Sequence, residues 1–215
     1  MPVTDIEERM EALRAEAIVC RNCELCERRT NVVFGEGNPV TPLVIVGEGP
    51  GANEDATGRP FVGRAGQLLD QALLENGITR KHVFICNVLK CRASIIEGGS
   101  VRNRPPATSE INACLPWLMK QLEIMKPLVI LCLGAPSAKV IIRKDFRMTK
   151  ERGQFFTTPY AKYAIAALHP AYVLRQDAET FKTARASLVA DIHAARMKAI
   201  EAKKELRPPL DLKLL

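Results

Sequence analysis

Cys20-Arg21-Asn22-Cys23, with Cys91 and Cys114 far downstream, spreads four thiols along a chain that also carries Gly47-Glu48-Gly49-Pro50-Gly51. A C-x2-C pair without secretory features points to a metal or redox centre. Four thiolates suit either a tetrahedral zinc or an iron–sulfur cluster. A zinc ribbon favours two C-x2-C knuckles, and Cys91 and Cys114 do not make the second one. Spacing alone leaves both metals open. The glycine-rich run follows the apolar Leu43-Val44-Ile45-Val46, and such a turn brings its backbone close to a ligand. It has neither the lysine of a phosphate-binding P-loop nor the G-x-G-x-x-G of a dinucleotide fold.

The elements that must position these groups are readable from apolar runs. Leu43-Val44-Ile45-Val46, Val83-Phe84-Ile85-Cys86, Leu128-Val129-Ile130-Leu131-Cys132-Leu133 and Tyr163-Ala164-Ile165-Ala166-Ala167-Leu168 have strand length, and several are β-branched, as suits strands buried on both faces. Helical patterns occupy 5–17, 66–76 (closing on Gly77), 109–125 (stopping before Pro127), 136–142 and 178–205. The alternation predicts a three-layer α/β/α domain with a four-stranded, mostly parallel central sheet. It spans 1–205 as a single domain, with 206–215 as a C-terminal tail.

What ends each strand is the informative point. The first runs into Glu48, the second into Asn87, the third into Gly134, the fourth into His169-Pro170. Ligands of open α/β sheets bind beyond the carboxyl ends of the strands. A glutamate, an asparagine and a histidine are therefore expected on one edge.

Bulk composition agrees with an enzyme that meets a polyanion. With 215 residues, 47% hydrophobic, the chain can fill one core. Lys plus Arg is 31 against 24 for Asp plus Glu, a formal charge of +7, which tilts toward nucleic acid. The acidic, helix-prone residues 1–16 do not read as a targeting peptide. The longest apolar stretch is far too short for a bilayer, so no membrane partner is expected. Seven cysteines without a secretory signal indicate a reducing, cytoplasmic location. The tail lacks the paired aromatics of a sliding-clamp motif, and a monomer is expected.

The span Gly47 to Leu69, including Gly58-Arg59-Pro60-Phe61-Val62-Gly63-Arg64, resembles the first motif of the family 4 uracil-DNA glycosylases. Phe34-Gly35-Glu36-Gly37-Asn38-Pro39, Asn87-Val88-Leu89-Lys90-Cys91-Arg92, Asn103-Arg104-Pro105, Cys114-x-Pro116-Trp117-Leu118 and His169-Pro170-Ala171-Tyr172-Val173-Leu174-Arg175 also resemble that family, in the right order. The resemblance implies a [4Fe–4S] cluster on Cys20, Cys23, Cys91 and Cys114. Cys26 falls where the family pattern has no cysteine; Cys86 and Cys132 are expected in the core.

It also implies uracil-containing DNA as substrate, with the base flipped into a pocket before its glycosidic bond is hydrolysed. Asn87 would read uracil N3–H and O4, Phe61 would stack on the base, and His169 would bind O2 as negative charge develops. Gly49 stands where better-known uracil-DNA glycosylases place an aspartate and is assigned to the uracil pocket. For the group that orients water, Glu48 ranks first and Glu54 second. Arg59, Arg64, Lys90, Arg92, Arg102, Arg104 and Arg175 are expected on DNA, and Leu174 resembles a wedge for the base stack. Lys198, Lys203 and Lys204 read as a solvated face.

One departure concerns an insertion around residues 93–100, longer than usual for the family. A related branch carries there a histidine that becomes covalently attached to the abasic sugar; the nearest equivalent is Asn103. The competing readings are that covalent-trapping branch and a non-catalytic iron–sulfur DNA-binding or redox module.

Overall fold

Burial on both faces organises the sheet. The computed structural model describes residues 3–206, so of the expected tail only Leu206 lies within it and 207–215 fall outside the described residues. The N-terminal half runs α1 (Val3–Ile18), α2 (Leu25–Arg28), β1 (Glu36–Gly37), β2 (Leu43–Gly47), α3 (Ala52–Thr57), α4 (Arg64–Glu75), β3 (Phe84–Asn87), β4 (Ser94–Glu97) and β5 (Ser100–Asn103). It continues with α5 (Thr108–Met125), β6 (Val129–Leu133), α6 (Ala135–Ile141), α7 (Met148–Glu151), β7 (Phe155–Thr158), β8 (Ala161–Ala167), α8 (Pro170–Val173) and α9 (Ala178–Glu205).

The expected sheet is corrected from four strands to six, in the order β1-β3-β2-β6-β8-β7. The four strands expected from the apolar runs are its parallel interior; β1 and β7 add antiparallel edges. Both edges escape an apolar-run reading for physical reasons. β1 is only Glu36-Gly37, and β7 is half-buried and loses regular register between Phe156 and Thr158. A separate two-stranded hairpin, β4–β5, occupies the inserted segment.

Strand side chains alternate between two cores. Val44, Val46, Cys86, Ile130, Cys132, Ala164 and Ala166 meet Met10 and Leu13 of α1, Leu118 and Leu122 of α5, and Ile141 of α6. Ile45, Ile85, Leu131, Ile165 and Ala167 meet Leu69 and Leu73 of α4 and Leu188, Ile192 and Ala195 of α9. Cys86 and Cys132 are buried in the first core, as expected. Truncating a fully buried member such as Leu131 to Ala should cost about 2–5 kcal/mol.

Helix ends follow from local chemistry. Asp177 caps α9 by accepting from the backbone N–H groups of Glu179 and Thr180. Gly77, at φ +66°, closes α4 in the left-handed conformation that glycine tolerates. Because β2, β3, β6 and β8 are parallel, their carboxyl ends, and hence Glu48, Asn87, Gly134 and His169, gather on one edge. No helix among the described residues is long and apolar enough to cross a membrane.

Candidate active site and cysteine cluster

A cavity of about 340 Å³ opens on that edge, and its walls include Glu48, Gly49, Glu54, Phe61, Arg64, Asn87, Asn103, Arg104 and His169. Residues just beyond β2 and β8 thus meet the last residues of β3 and β5 in one place. Asn87 is 1% exposed, and its Oδ1 is buried with no hydrogen-bond partner. Buried acceptors are almost always paired, so this oxygen marks where a ligand's donor belongs.

Gly47 makes the floor possible. A Cβ there would collide with Asn87 Oδ1 and with the Phe61 ring, 2.5 Å from its Cζ. Phe61 itself holds φ at +53°, a left-handed conformation that costs a non-glycine residue roughly 1–2 kcal/mol. Arg80 restrains it: Nη1 donates to Pro60 O at 2.8 Å and Nη2 to Phe61 O, while Nε is tied to Asp70 at 2.7 Å. Gly66 in α4 leaves room for the Phe61 carbonyl. Neither Arg80 nor Gly66 was singled out from sequence, because both act on backbone that only the fold brings near.

His169 caps α8, its Nδ1 accepting the Ala171 N–H at 3.1 Å. That bond leaves the proton on Nε2. Burial, aided by the Arg175 charge and opposed by Glu54, lowers its pKa to about 4. The imidazole is therefore neutral at physiological pH and donates from Nε2. Its ring lies 5.7 Å from that of Phe61, tilted by 31°.

The two carboxylates differ sharply. Glu54 spends both oxygens on backbone: Oε2 accepts from Gly51 at 3.0 Å, Oε1 from Val62 and Gly63 at 2.9 Å each. It clamps the loop that carries Phe61. The Glu48 carboxylate has no hydrogen-bond or ion-pair partner among the described residues, and burial raises its pKa.

The expected DNA-facing cations divide as well. Lys90 is corrected outright: it is 1% exposed, and its Nζ donates to Asn87 O and to Gln121 Oε1, so it cannot meet phosphate. Arg64 is exposed on the cavity wall. Arg104 forks onto Glu110, with Nη1 to Oε2 at 2.8 Å, and Arg59 onto Glu36 at 2.7 and 2.8 Å. Arg92 donates to Asn103 Oδ1 at 2.6 Å. Arg102 is exposed, 3.6 Å from Glu97. Arg175 is exposed beside a neighbouring cavity that shares Glu48 and His169. Leu174 is half-buried against the core on the α4–α9 side.

Cys20, Cys23, Cys91 and Cys114 line one small cavity with Cys26, Arg29 and Trp117. Three of the four sulfurs accept an N–H hydrogen bond. Trp117 Nε1 reaches Cys20 at 3.3 Å, Arg29 Nη1 reaches Cys91 at 3.3 Å, and Lys90 N reaches Cys114 at 3.1 Å. The Leu25 backbone amide supports Cys23. Cys26 has no such donor among the described residues. Burial pushes Cys91 up to about 11 and also raises Cys23 and Cys114, so thiolates there need a metal's charge. No group of three or more His, Cys, Asp or Glu among the described residues is arranged for a single ion. Four sulfurs around a shared space, three of them accepting N–H bonds, are a donor set that suits a thiolate-bound metal centre.

The family model of the uracil DNA glycosylase superfamily matches residues 34–193. A type-4 uracil-DNA glycosylase of Thermotoga maritima is 46% identical over 170 residues, covering 79% of this chain and 85% of that protein. Those of Sulfurisphaera tokodaii and Archaeoglobus fulgidus are 43% identical over 173 residues and 39% over 174, covering 77% and 78% of this chain and 76% and 84% of those proteins. The chain belongs to the uracil DNA glycosylase superfamily, in its type-4 branch.

Proposed function

We propose that the protein excises uracil from DNA by hydrolysing its N-glycosidic bond, leaving an abasic site for base excision repair. The observation that carries the reading is Asn87 Oδ1, a buried acceptor without a donor. Uracil N3–H supplies that donor, and the Asn87 amide N–H answers uracil O4. Cytosine presents an acceptor at N3 and a donor at N4, so both contacts fail. A site built on such pairs rejects the wrong base by roughly 10⁴-fold, because buried groups are left unpaired.

Phe61 stacks on the flipped base against the Gly47 floor, and Gly49 leaves the base edge free of a side chain. As the C1′–N1 bond breaks, N1 keeps the bonding pair and negative charge spreads to O2. The Nε2–H of neutral His169 meets that charge without giving up its proton. Glu48, ionised, stabilises the positive sugar, aligns water on C1′ and takes the water's proton as the new C1′–O bond forms. Glu54 acts through the loop it clamps. Arg64, Arg104 and Arg175 face phosphates around the mouth, Arg102 meets backbone farther out along the hairpin, and Leu174 fills the space vacated in the stack.

Cys20, Cys23, Cys91 and Cys114 would hold a [4Fe–4S] cluster, which supplies a rigid staple between the loops on either side of the site. The test is an oligonucleotide carrying one uracil. Alkali-labile product from uracil-DNA, and none from the cytosine counterpart, is expected; an intact uracil strand after prolonged incubation with iron-replete enzyme overturns the reading.

A further inference from the structure

The inserted segment is an ordered hairpin with exposed aliphatic side chains, and nothing in the uracil pocket accounts for them. Gly98 and Gly99, at φ +57° and +77°, form its two-residue turn. Its root is fixed: Arg104 N donates to Ala93 O at 3.1 Å, and Arg92 bonds Asn103 Oδ1 at 2.6 Å and Val101 O at 3.4 Å. Ala93, Asn103 and Arg104 at that root line the uracil cavity.

Register decides which way each side chain faces. Ser94 pairs with Asn103 and Ile96 with Val101. Residues directly opposite share a face, and faces alternate along each strand. Ile96 and Val101 therefore sit on the face that carries Asn103, the side of the cavity. They are 60% and 54% exposed. Ile95, Glu97, Ser100 and Arg102 occupy the opposite face.

We propose that this hairpin is a DNA-docking finger whose Ile96–Val101 pair packs on the bases flanking the flipped nucleotide. The inference rests on the uracil-excision reading for where DNA lies: strand feeding a base into the cavity must cross the cavity's rim, and the hairpin is part of that rim. A base next to a flipped nucleotide has lost a stacking neighbour, and an aliphatic pad replaces the lost contact. Four residues per strand reach about 13 Å, the span of roughly four stacked nucleotides. Arg92, Arg102 and Arg104 outnumber the acids beside them, Glu97 and the Glu110 that holds Arg104, and this positive surplus at the rim of a DNA-reading cavity favours a phosphate backbone.

The experiment measures binding by fluorescence anisotropy, with no turnover, to oligonucleotides carrying a tetrahydrofuran abasic analogue with one or with four flanking nucleotides on each side. Ile96→Ser/Val101→Ser should weaken binding of the longer probe roughly tenfold and of the shorter one much less. Both side chains are exposed, so folding should be unchanged; Ile96→Leu/Val101→Leu should bind like the parent. Equal binding by the Ser variant and the parent overturns the proposal. So does a dimer in light scattering that dissociates in the Ser variant, which would make the pad an interface between copies. If the parent binds the probe through the pad yet leaves uracil-DNA intact, the proposal stands and the excision reading fails.

Discussion

Lys90 Nζ donates to the backbone carbonyl of Asn87 at 2.8 Å and to Gln121 Oε1 at 2.6 Å, wholly inside the protein. The same residue's N–H lies on Cys114 Sγ, and its carbonyl accepts from Val33 N at 2.7 Å. Burial lowers its pKa. One residue thus joins Asn87, through its side chain, to the cysteine loops, through its backbone. Lys90→Met keeps the length of the chain but strands two buried acceptors, which should cost about 2–5 kcal/mol. Chemical denaturation should show that loss. In the double variant with Gln121→Met one stranded acceptor is gone, so the two effects should be less than additive. Strict additivity would show that the bond to Gln121 contributes nothing.

Gly47 should tolerate no side chain. Gly47→Ala drives a methyl into Asn87 Oδ1 and the Phe61 ring, and the pocket must open to relieve it. Excision is expected to fall by about 10²-fold or more, comparable to Asn87→Ala. Single-turnover rates on uracil-DNA measure it. A Gly47→Ala enzyme within threefold of the parent would mean that the base does not bind against this floor.

The pH dependence should belong to Glu48. Its folded pKa is raised by burial, so excision should fall as pH drops through that value, while His169 stays neutral down to about 4. His169→Asn should lower the rate and keep the acid limb; Glu48→Gln should abolish the limb along with most activity. The stability sign runs the other way. Between the ordinary carboxylate range and the raised value the folded state binds the extra proton, so rising pH destabilises it through Glu48. Above the raised value that penalty is complete, and there Glu48→Gln should melt at a higher temperature than the parent. A lower melting temperature for Glu48→Gln on the alkaline side of the acid limb would place Glu48 in a favourable contact instead.

Much of this arrangement was legible because it depends on short-range pattern. Four apolar runs end at Glu48, Asn87, Gly134 and His169, and parallel pairing alone then gathers those residues. What sequence hid depends on partners far along the chain. Lys90 reads as a surface cation until Gln121 and the Asn87 carbonyl surround it. Glu54 and Glu48 look alike in a glycine-rich loop, yet only Glu54 meets the amides of Val62 and Gly63. Arg80 carries no signal of its own, because its target is the backbone of Phe61. The hairpin was visible only as extra length: Ile95-Ile96 is too brief an apolar run to stand out as a strand.

The sulfur environment predicts which cysteines matter. Cys20, Cys91 and Cys114 each accept an N–H hydrogen bond, the Leu25 amide supports Cys23, and Cys26 accepts no such bond among the described residues. Anaerobically purified protein should be brown, with about four irons per chain. Replacing any of the four by Ala should remove most of that iron, whereas Cys26→Ala should retain it. Trp117→Phe, which deletes the donor to Cys20, should keep the iron and shift the cluster's reduction potential. Colourless protein with one zinc would overturn the assignment.

The enzyme should turn over and not trap its product. Capture of the sugar by protein needs a free lone pair near C1′. The Asn103 amide nitrogen is a poor nucleophile, and its oxygen is engaged by Arg92. Arg104 is held above its ordinary pKa by its fork onto Glu110 and stays protonated. His169 has Nδ1 occupied by the Ala171 N–H and its proton on Nε2, so neither nitrogen can attack. Water aligned by Glu48 remains. Excess uracil-DNA should be consumed over many cycles, and no protein–DNA band should survive boiling in detergent. Asn103→His puts an imidazole on the same cavity wall, with a lone pair that Arg92 cannot fully occupy. That variant should lose turnover and yield a stoichiometric, detergent-resistant adduct. If it cycles like the parent, position 103 lies beyond reach of C1′; if the parent itself forms the adduct, water is not the nucleophile.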